Sequence, residues 1–461
     1  MEPDHYDALF RSQVAGRHLI LTGAPLAAFD SSFLQRLLDH GAAGIFIIAD
    51  GVGTGDLPSS DLAEWIILPG KAESINDEIR RFRRKLARPS KRLRDRLDEW
   101  DPDRTALVMG VAFYSMSRLA GRRVLGARRP EWEALEDKVV IDEVWDAAGL
   151  EREPTKVVTA EASALKRAAR NLDRGDGTVW AGDAREGFNG GAEYARWIRT
   201  KDDQPEAIAF FGEHCDHVRV MPFLEGIPCS IHGMVFPETT IVFRPCELLT
   251  LRTGGSLFYY AGFSSYWDPS EGDRQKMREI ARRVGEAVRA RVDYRGAFTV
   301  DGVMTVDGFR PTELNARAGA ALSLLSGPSP HIPFGVIQRA LVERQDYDYR
   351  PAELETVLVS NADDNRRAGI HAIVRRRQEK SEKLGVTGQV GALRIVDKDD
   401  NITASLTFGP GAVGGFLRAD PTGLLQAGDS AAPVACQLLA LGDSHWLLGI
   451  GELLPPKSVR L

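Results

Sequence analysis

Residues 311–322, PTELNARAGAAL, put Glu313, Asn315 and Arg317 at alternate positions before the chain turns small and glycine-rich. In a strand, alternate side chains share a face, so a carboxylate, an amide and a guanidinium project together if the strand persists through them. Asp301 ends the apolar run GAFTVD. A VDG turn, a short-range hairpin signal, follows it and brings Asp301 opposite the same face. Two carboxylates and an amide oxygen form a hard-oxygen set suited to Mg²⁺, which keeps waters and substrate phosphates in the rest of its shell. Arg317 beside them offers a planar donor fork to a carboxylate or a transferring phosphoryl group. Alone, the pattern is shared with solvated strand edges, so its surroundings decide what it means.

The elements that would hold the hairpin can be read outward from it. GRHLILTGAPL reads as a strand and turn, SSFLQRLLDHGA as a helix with serine caps, and AGIFIIAD as a second buried strand. This βαβ opening predicts a Rossmann-like layer domain over residues 1–130. In DGVGTGD the glycines fall at 51, 53 and 55, outside GxGxxG order, and an acidic loop follows, which argues against a dinucleotide site. The basic run from Arg80 to Arg96 has flanking acids and no interleaved aromatics, so it predicts solvated helices broken near Pro89, not a nucleic-acid surface. Residues 131–150 have helical periodicity ending at Gly149. EPTKVV, TVWAG, HVRVMPFLEG, CSIHGMVF and TTIVFRPCELLTLR read as strands, and EGDRQKMREIARRVGEAVRARV as a long charged helix. After about residue 335 the expected order is a charged helix, AGIHAIVRRRQEKSEKLG, then glycine-rich β-like segments and a last apolar run, VACQLLALG.

With these segments in order, roughly residues 130–330 resemble the ATP-grasp superfamily of carboxylate-amine ligases. That family shows an acidic residue on one strand and a Glu-x-Asn pair, often Asn-x-Arg, on the next, which line up with Asp301, Glu313, Asn315 and Arg317. Its Asp-Lys at a helix start, followed by an AG turn and a proline lead-in, resembles Asp137-Lys138, Ala148-Gly149 and Pro154. Its flexible phosphate loop resembles GFNGGA, with Gly187, Gly190 and Gly191. Its adenine-binding hinge resembles MPFLEG, with Met221, Phe223, Leu224 and Glu225. Glycines let backbone N–H groups approach phosphate closely, and a lysine adds a point charge. Arg244 and Arg252 resemble arginines that related amino-acid ligases use toward phosphate and substrate carboxylate; ordinary strand arginines paired to Glu247 or the like are the alternative. Two departures stand out. Trp180 occupies the place of a second phosphate-binding lysine, and Pro228 and Cys229 stand where an acidic ribose ligand is usual, for which Glu225 could substitute.

The resemblance implies an α/β (α+β) chain: a Rossmann-like pre-ATP-grasp domain (1–130), a two-subdomain ATP-grasp fold (131–335) and a small C-terminal β-rich domain (336–461). It implies ATP and Mg²⁺ as cofactors, small-molecule or peptide carboxylate and amine substrates, and an amide formed through an acyl phosphate. Within the superfamily the architecture is most similar to the pheganomycin-type peptide ligases. An ATP-binding regulatory or scaffold protein of the same fold, or an ATP-grasp kinase, are the alternatives. With 59 Lys+Arg against 65 Asp+Glu, a net charge of -6, no nucleic-acid or anionic-membrane partner is expected; homo-oligomerisation is left open. The four cysteines lack CxxC spacing, which predicts reduced thiols in a cytoplasmic protein, and no segment reaches the roughly 18 apolar residues of a membrane span. His214, Cys215 and His217 have no second cluster to complete a zinc site, and no GxSxG elbow is present.

Overall fold

The computed structural model describes residues 4–68, 70–110, 115–396 and 401–459. Among them, three sheets organise the chain. The first runs Glu64–Ile67, Gly44–Ala49, His18–Thr22, Leu107–Met109, Arg122–Val124, Arg118–Leu119, and is parallel except for its last pair. Its central strands read as unbroken apolar runs because both faces are covered. Leu19, Leu21, Ile45 and Ile47 pack with Leu9 and Phe10 of helix Asp7–Val14 and Leu34 and Leu37 of helix Ser31–Asp39. Ile20, Phe46 and Ile48 pack on the other side with Phe82, Leu86, Leu93 and Leu97. Those four belong to the two helices of the basic run, Ile75–Ala87 and Lys91–Trp100, each started by a serine cap. Asp30, not a serine, caps Ser31–Asp39, accepting the Phe33 N–H at 2.8 Å.

The second sheet is antiparallel, in the order Lys156–Thr159, His217–Pro222, Thr178–Gly182, Ala195–Ile198. Helices Ala162–Leu172 and Gln204–His214 close one face of it around Trp180, Val218 and Val220. Its other face is turned to the hairpin.

The third and longest sheet begins with the hairpin strands Gly308–Asn315 and Gly296–Thr305, then takes Ile227–Val235, Cys246–Arg252 and Phe258–Ser264. Strand alternation sorts its faces. Cys229, Ile231, Phe298, Val300 and Leu314 pack on helix Glu271–Val292, which leaves Ser230, His232, Thr299, Asp301, Glu313 and Asn315 on the opposite side. Beyond residue 335 the sheet continues without a break: Phe258–Ser264 pairs with Ala368–Val374, followed by Gly415–Asp420, Ala404–Pro410, Glu382–Thr387 and Arg394–Val396. The boundary drawn at 335/336 also cuts helix Phe334–Val342, whose Val336, Ile337 and Leu341 share a core with the first sheet.

The expected charged helix over AGIHAIVRRRQEKSEKLG is absent among the described residues. Ile370, Ala372 and Val374 alternate inward on a strand, and the run from Arg375 to Ser381 is a largely exposed connection to the next. The last apolar run lies in helix Ala432–Trp446, which covers this end of the sheet. Residues 397–400, inside the expected β-like stretch, lie outside the described residues. The helical stretch 131–150 is interrupted into Pro130–Glu133, a short turn of tighter helix and Ile141–Ala147, with Lys138 in the gap. All four cysteines are free, and among the described residues no helix is long and apolar enough to cross a membrane.

Candidate functional site

The hairpin turns at Val306-Asp307, with Thr305 paired to Gly308. Asp301 lies directly opposite Glu313, and Thr299 opposite Asn315. The register shifts between Asp301 and Gly302, which pairs with Pro311 and leaves Thr312 as the extra residue of a bulge. The shift seats both carboxylates on the crevice face. Asn315 Nδ2 donates to Asp301 Oδ2 at 2.9 Å, Arg317 Nη2 donates to Asn315 Oδ1 at 3.0 Å, and the Ser230 hydroxyl meets Asp301 Oδ1. Burial, with Glu313 opposite adding to it, pushes the Asp301 carboxyl up to about 7. Two crowded carboxylates form a donor pair that a divalent cation would relieve electrostatically, and Asn315 would add its amide oxygen by turning it from Arg317 to the metal, so the residues present fit Mg²⁺.

The glycine loop closes one side. Lys138, in the gap between helices, is buried, and its Nζ donates to the Asn189 backbone and side-chain oxygens, both at 2.9 Å, and lies 3.4 Å from Glu313 Oε1. Gly187 and Gly191 take φ of +93° and +65°, a backbone that favours glycine. From the first layer, Asn76 holds the same loop: its side chain accepts the Gly190 N–H at 2.9 Å and donates to Gly190 O at 3.1 Å and Glu193 Oε2 at 2.6 Å. Arg80, one turn on, reaches Glu186 and the Tyr194 hydroxyl.

The far wall comes from the second sheet. Val179, Ala181, Arg219 and Met221 line the crevice, whereas Trp180 points the other way into the helix-covered core, its Nε1 bonded to Thr178 Oγ1 at 3.0 Å. The crevice-facing positions on that strand are therefore the apolar neighbours of Trp180, not Trp180 itself. Arg219 stands opposite Ala181 in register and pairs with Asp142 at 2.7 Å. Met221, Phe223 and Leu224 line the hinge, and the Phe223 N–H is already bonded to Gly177 O at 3.0 Å.

Most of the expected site residues converge on one crevice of about 480 Å³: Lys138, Gly190, Gly191, Met221, Phe223 and Leu224 with Asp301, Glu313, Asn315, Arg317 and Arg252. Three do not line it. Arg244 is fully buried elsewhere against Asp268 and Asp363, because the acids that neutralise it lie behind the sheet. Glu225 stands outside the lining, its Oε1 engaged by Arg252 at 2.6 Å and by the Lys457 N–H at 3.1 Å. Gly187 belongs to the loop without reaching the lining. Arg252 does line the crevice; its partner is Glu225, not Glu247, and its guanidinium lies 5.3 Å from the rings of Trp197 and Phe223. Sequence reasoning missed Asn76 and Arg219. Arg219 was within reach, two residues before Met221 on the same strand face.

No family model matches the chain, and no curated protein matches it in sequence. Solved structures share its fold. Biotin carboxylase from Campylobacter jejuni, in a β,γ-ATP complex, has a TM-score of 0.55 at 13% identity, covering 92% of this chain and 91% of that one. The biotin carboxylase domain of the Hydrogenobacter thermophilus 2-oxoglutarate carboxylase, with MgADP, ADP and bicarbonate, gives 0.52 at 12%, covering 88% and 86%. Carboxyaminoimidazole ribonucleotide synthase from Aspergillus clavatus, complexed with ATP, gives 0.51 at 11%, covering 93% and 99%. At these identities the likeness defines architecture: the two-subdomain ATP-grasp α/β fold with a C-terminal β-rich part.

Proposed function

We propose that the protein is an ATP-dependent carboxylate-amine ligase. The observation that carries the reading is the meeting of Asp301 and Glu313 across the hairpin with Lys138 and the glycine loop, in the crevice that the hinge also lines. In this reading Met221, Phe223 and Leu224 receive adenine. The backbone N–H of Leu224 is the donor, since that of Phe223 is engaged. Lys138 and the amides of Gly190 and Gly191 hold the phosphates, and Arg219 lends positive charge where relatives place a second lysine. Asp301, Glu313 and Asn315 would hold Mg²⁺, which supplies charge neutralisation on the β- and γ-phosphates.

A carboxylate oxygen of the acid attacks the γ-phosphorus and ADP leaves, giving an acyl phosphate. The amine nitrogen then attacks the acyl carbon, inorganic phosphate leaves, and the nitrogen loses its proton. Arg317 orients the carboxylate and then steadies the oxyanion. The glycine loop keeps water from the acyl phosphate. A pheganomycin-type peptide ligase is the narrowest form of this reading and rests on the sequence resemblance alone. Residues 1–130, 131–335 and 336–461 serve as layer, catalytic and covering parts.

Val179 and Ala181, apolar where a phosphate-binding cation would be expected, favour a second reading: a regulatory ATP-binding protein of the same fold. The test is binding of Mg-ATP, then ADP and phosphate release against pools of carboxylates and amines, with product mass determined. An amide, one water lighter than its components, upholds the ligase. A phosphoester makes the protein a kinase, and binding without release against every pool favours the regulatory reading.

A further inference from the structure

The crevice continues past the hairpin along the same face of the long sheet, where His232, Leu248, Tyr260, Phe263, His371 and Ile373 line it. These six carry no formal charge at neutral pH. Burial pushes the His232 imidazole down to about 3 and the His371 imidazole down to about 4, and it holds the Tyr260 phenol above its ordinary range. The surfaces are flat: Tyr260 and His371 meet edge to face at 5.3 Å, and His371 stacks on Phe416 at 5.3 Å. Next to the hairpin the wall is polar but neutral. Thr299 Oγ1 is buried without a hydrogen-bond partner, and a Cβ built on Gly319 would fall 2.3 Å from it and 3.0 Å from His232 Nε2. Only glycine lets the segment after Arg317 lie this close.

The cations of the lining each have a protein partner, and its carboxylates are committed to the metal. Its only carboxylates among the described residues are Asp301 and Glu313, both assigned to the metal. Of its cations, Arg219 is paired with Asp142 and Arg252 with Glu225, Lys138 sits between the glycine loop and Glu313, and Arg317 also reaches Glu136 at 3.5 Å.

We infer, on the ligase reading above, that the acid activated here is a monocarboxylate with a flat, uncharged body and no α-ammonium group. Its carboxylate meets Arg317, and its body lies between Tyr260, Phe263 and His371. The α-position then falls beside Thr299 and His232, where an ammonium would be desolvated with no free carboxylate to pair it and with Arg317 and the metal repelling it. Free amino acids are poor donors for this site.

3-Phenylpropionate and L-phenylalanine differ only by that ammonium, and hydroxylamine serves as a small universal nucleophile. Each acid takes the γ-phosphoryl group from ATP with release of ADP; the hydroxylamine nitrogen then displaces phosphate and loses a proton, leaving a hydroxamate. With the full-length protein, Mg²⁺ and ATP, 3-phenylpropionate should be favoured in kcat/KM on the order of tenfold to a hundredfold. Equal or better use of L-phenylalanine overturns the inference. If neither acid yields hydroxamate, calorimetric titration of both into protein loaded with Mg²⁺ and a non-hydrolysable ATP analogue separates the two claims. The same preference in binding upholds the pocket while the ligase reading fails; equal binding, reversed binding or no binding of either acid overturns the pocket. In a His232→Asp variant that still binds Mg-nucleotide, the preference should narrow by about tenfold, the scale of one charge pair restored beside the α-position. An unchanged ratio counts against the inference, and the wild-type comparison decides if the variant does not fold.

Discussion

Two clusters of charge flank the long sheet. Behind it, Arg244 sits 2.9 Å from Asp363 Oδ1 and also reaches Asp268; Arg274 and Arg366 share those acids, and Arg278 and Arg282 converge on Glu355. In front, Asp301 and Glu313 face each other with Lys138 and Arg317 at their edges and an open crevice between. In the rear cluster each guanidinium is met by protein carboxylates; in the front one the carboxylates crowd each other and remain short of cation. Both clusters are arginine-containing and partly buried, so burial of charge alone does not mark a site. What separates them is whether the protein itself completes the pairing.

Swapping the roles of the two clusters is the sharpest way to break this comparison. Arg244→Ala strips one member from a buried network and is expected to lower stability by about 3–5 kcal/mol in urea titration, with turnover of the remaining folded protein preserved. Glu313→Gln should do the reverse: ADP formation falls on the order of 100- to 1000-fold, while the urea midpoint moves little. A folded but inactive Arg244→Ala, or an active Glu313→Gln, would dissolve the distinction. Asn76→Ala sharpens it, because Asn76 lines the crevice but spends its hydrogen bonds on the loop. Losing its bonds to Gly190 and Glu193 should raise the KM for ATP about tenfold, by about 1–1.5 kcal/mol, and increase ATP hydrolysis not coupled to product.

The smallest effect is a pH dependence confined to the front cluster. The Asp301 carboxyl is raised from 3.8 to about 7, so in the metal-free protein its contribution to stability is fully present below 3.8 and is lost as pH rises through about 7. Metal binding has the opposite sign, since it requires the ionised carboxylate. Mg²⁺ affinity of the ADP-loaded protein should therefore drop by up to about tenfold per pH unit below about 7, with proton release on binding. Calorimetry in buffers of different ionisation enthalpy measures both, and a flat profile from pH 5.5 to 8 removes the claim.

The front cluster was largely legible because it is local. Glu313, Asn315 and Arg317 follow a strand period of two, and one short turn brings Asp301 to them. Lys138 and the glycine loop were placed through resemblance, and the parallel opening, the long helix Glu271–Val292 and the hairpin followed from apolar periodicity. What escaped depends on contacts far apart in the chain. Arg244 looked available until Asp363, more than a hundred residues on, was seen to hold it. Asn76 lies just before the basic run, with nothing in its own surroundings to mark it, and its partner Gly190 is 114 residues away. Trp180 looked like a missing lysine because a strand seen in one dimension does not show which way each side chain faces. The C-terminal error was one of period: Ile370, Ala372 and Val374 alternate, but seven largely exposed polar residues from Arg375 to Ser381 mimic a charged helix.

The seam where Phe258–Ser264 meets Ala368–Val374 makes the tail inseparable from the crevice wall. A chain stopped at 335 would bare the N–H and C=O groups of Phe258–Ser264 to any passing strand, an invitation to self-association. It would also strip Glu247 of the Ser430 hydroxyl and Ala431 N–H that now solvate its buried carboxylate. The last quarter of the molecule thus behaves as the second half of a zipper, not as a passenger.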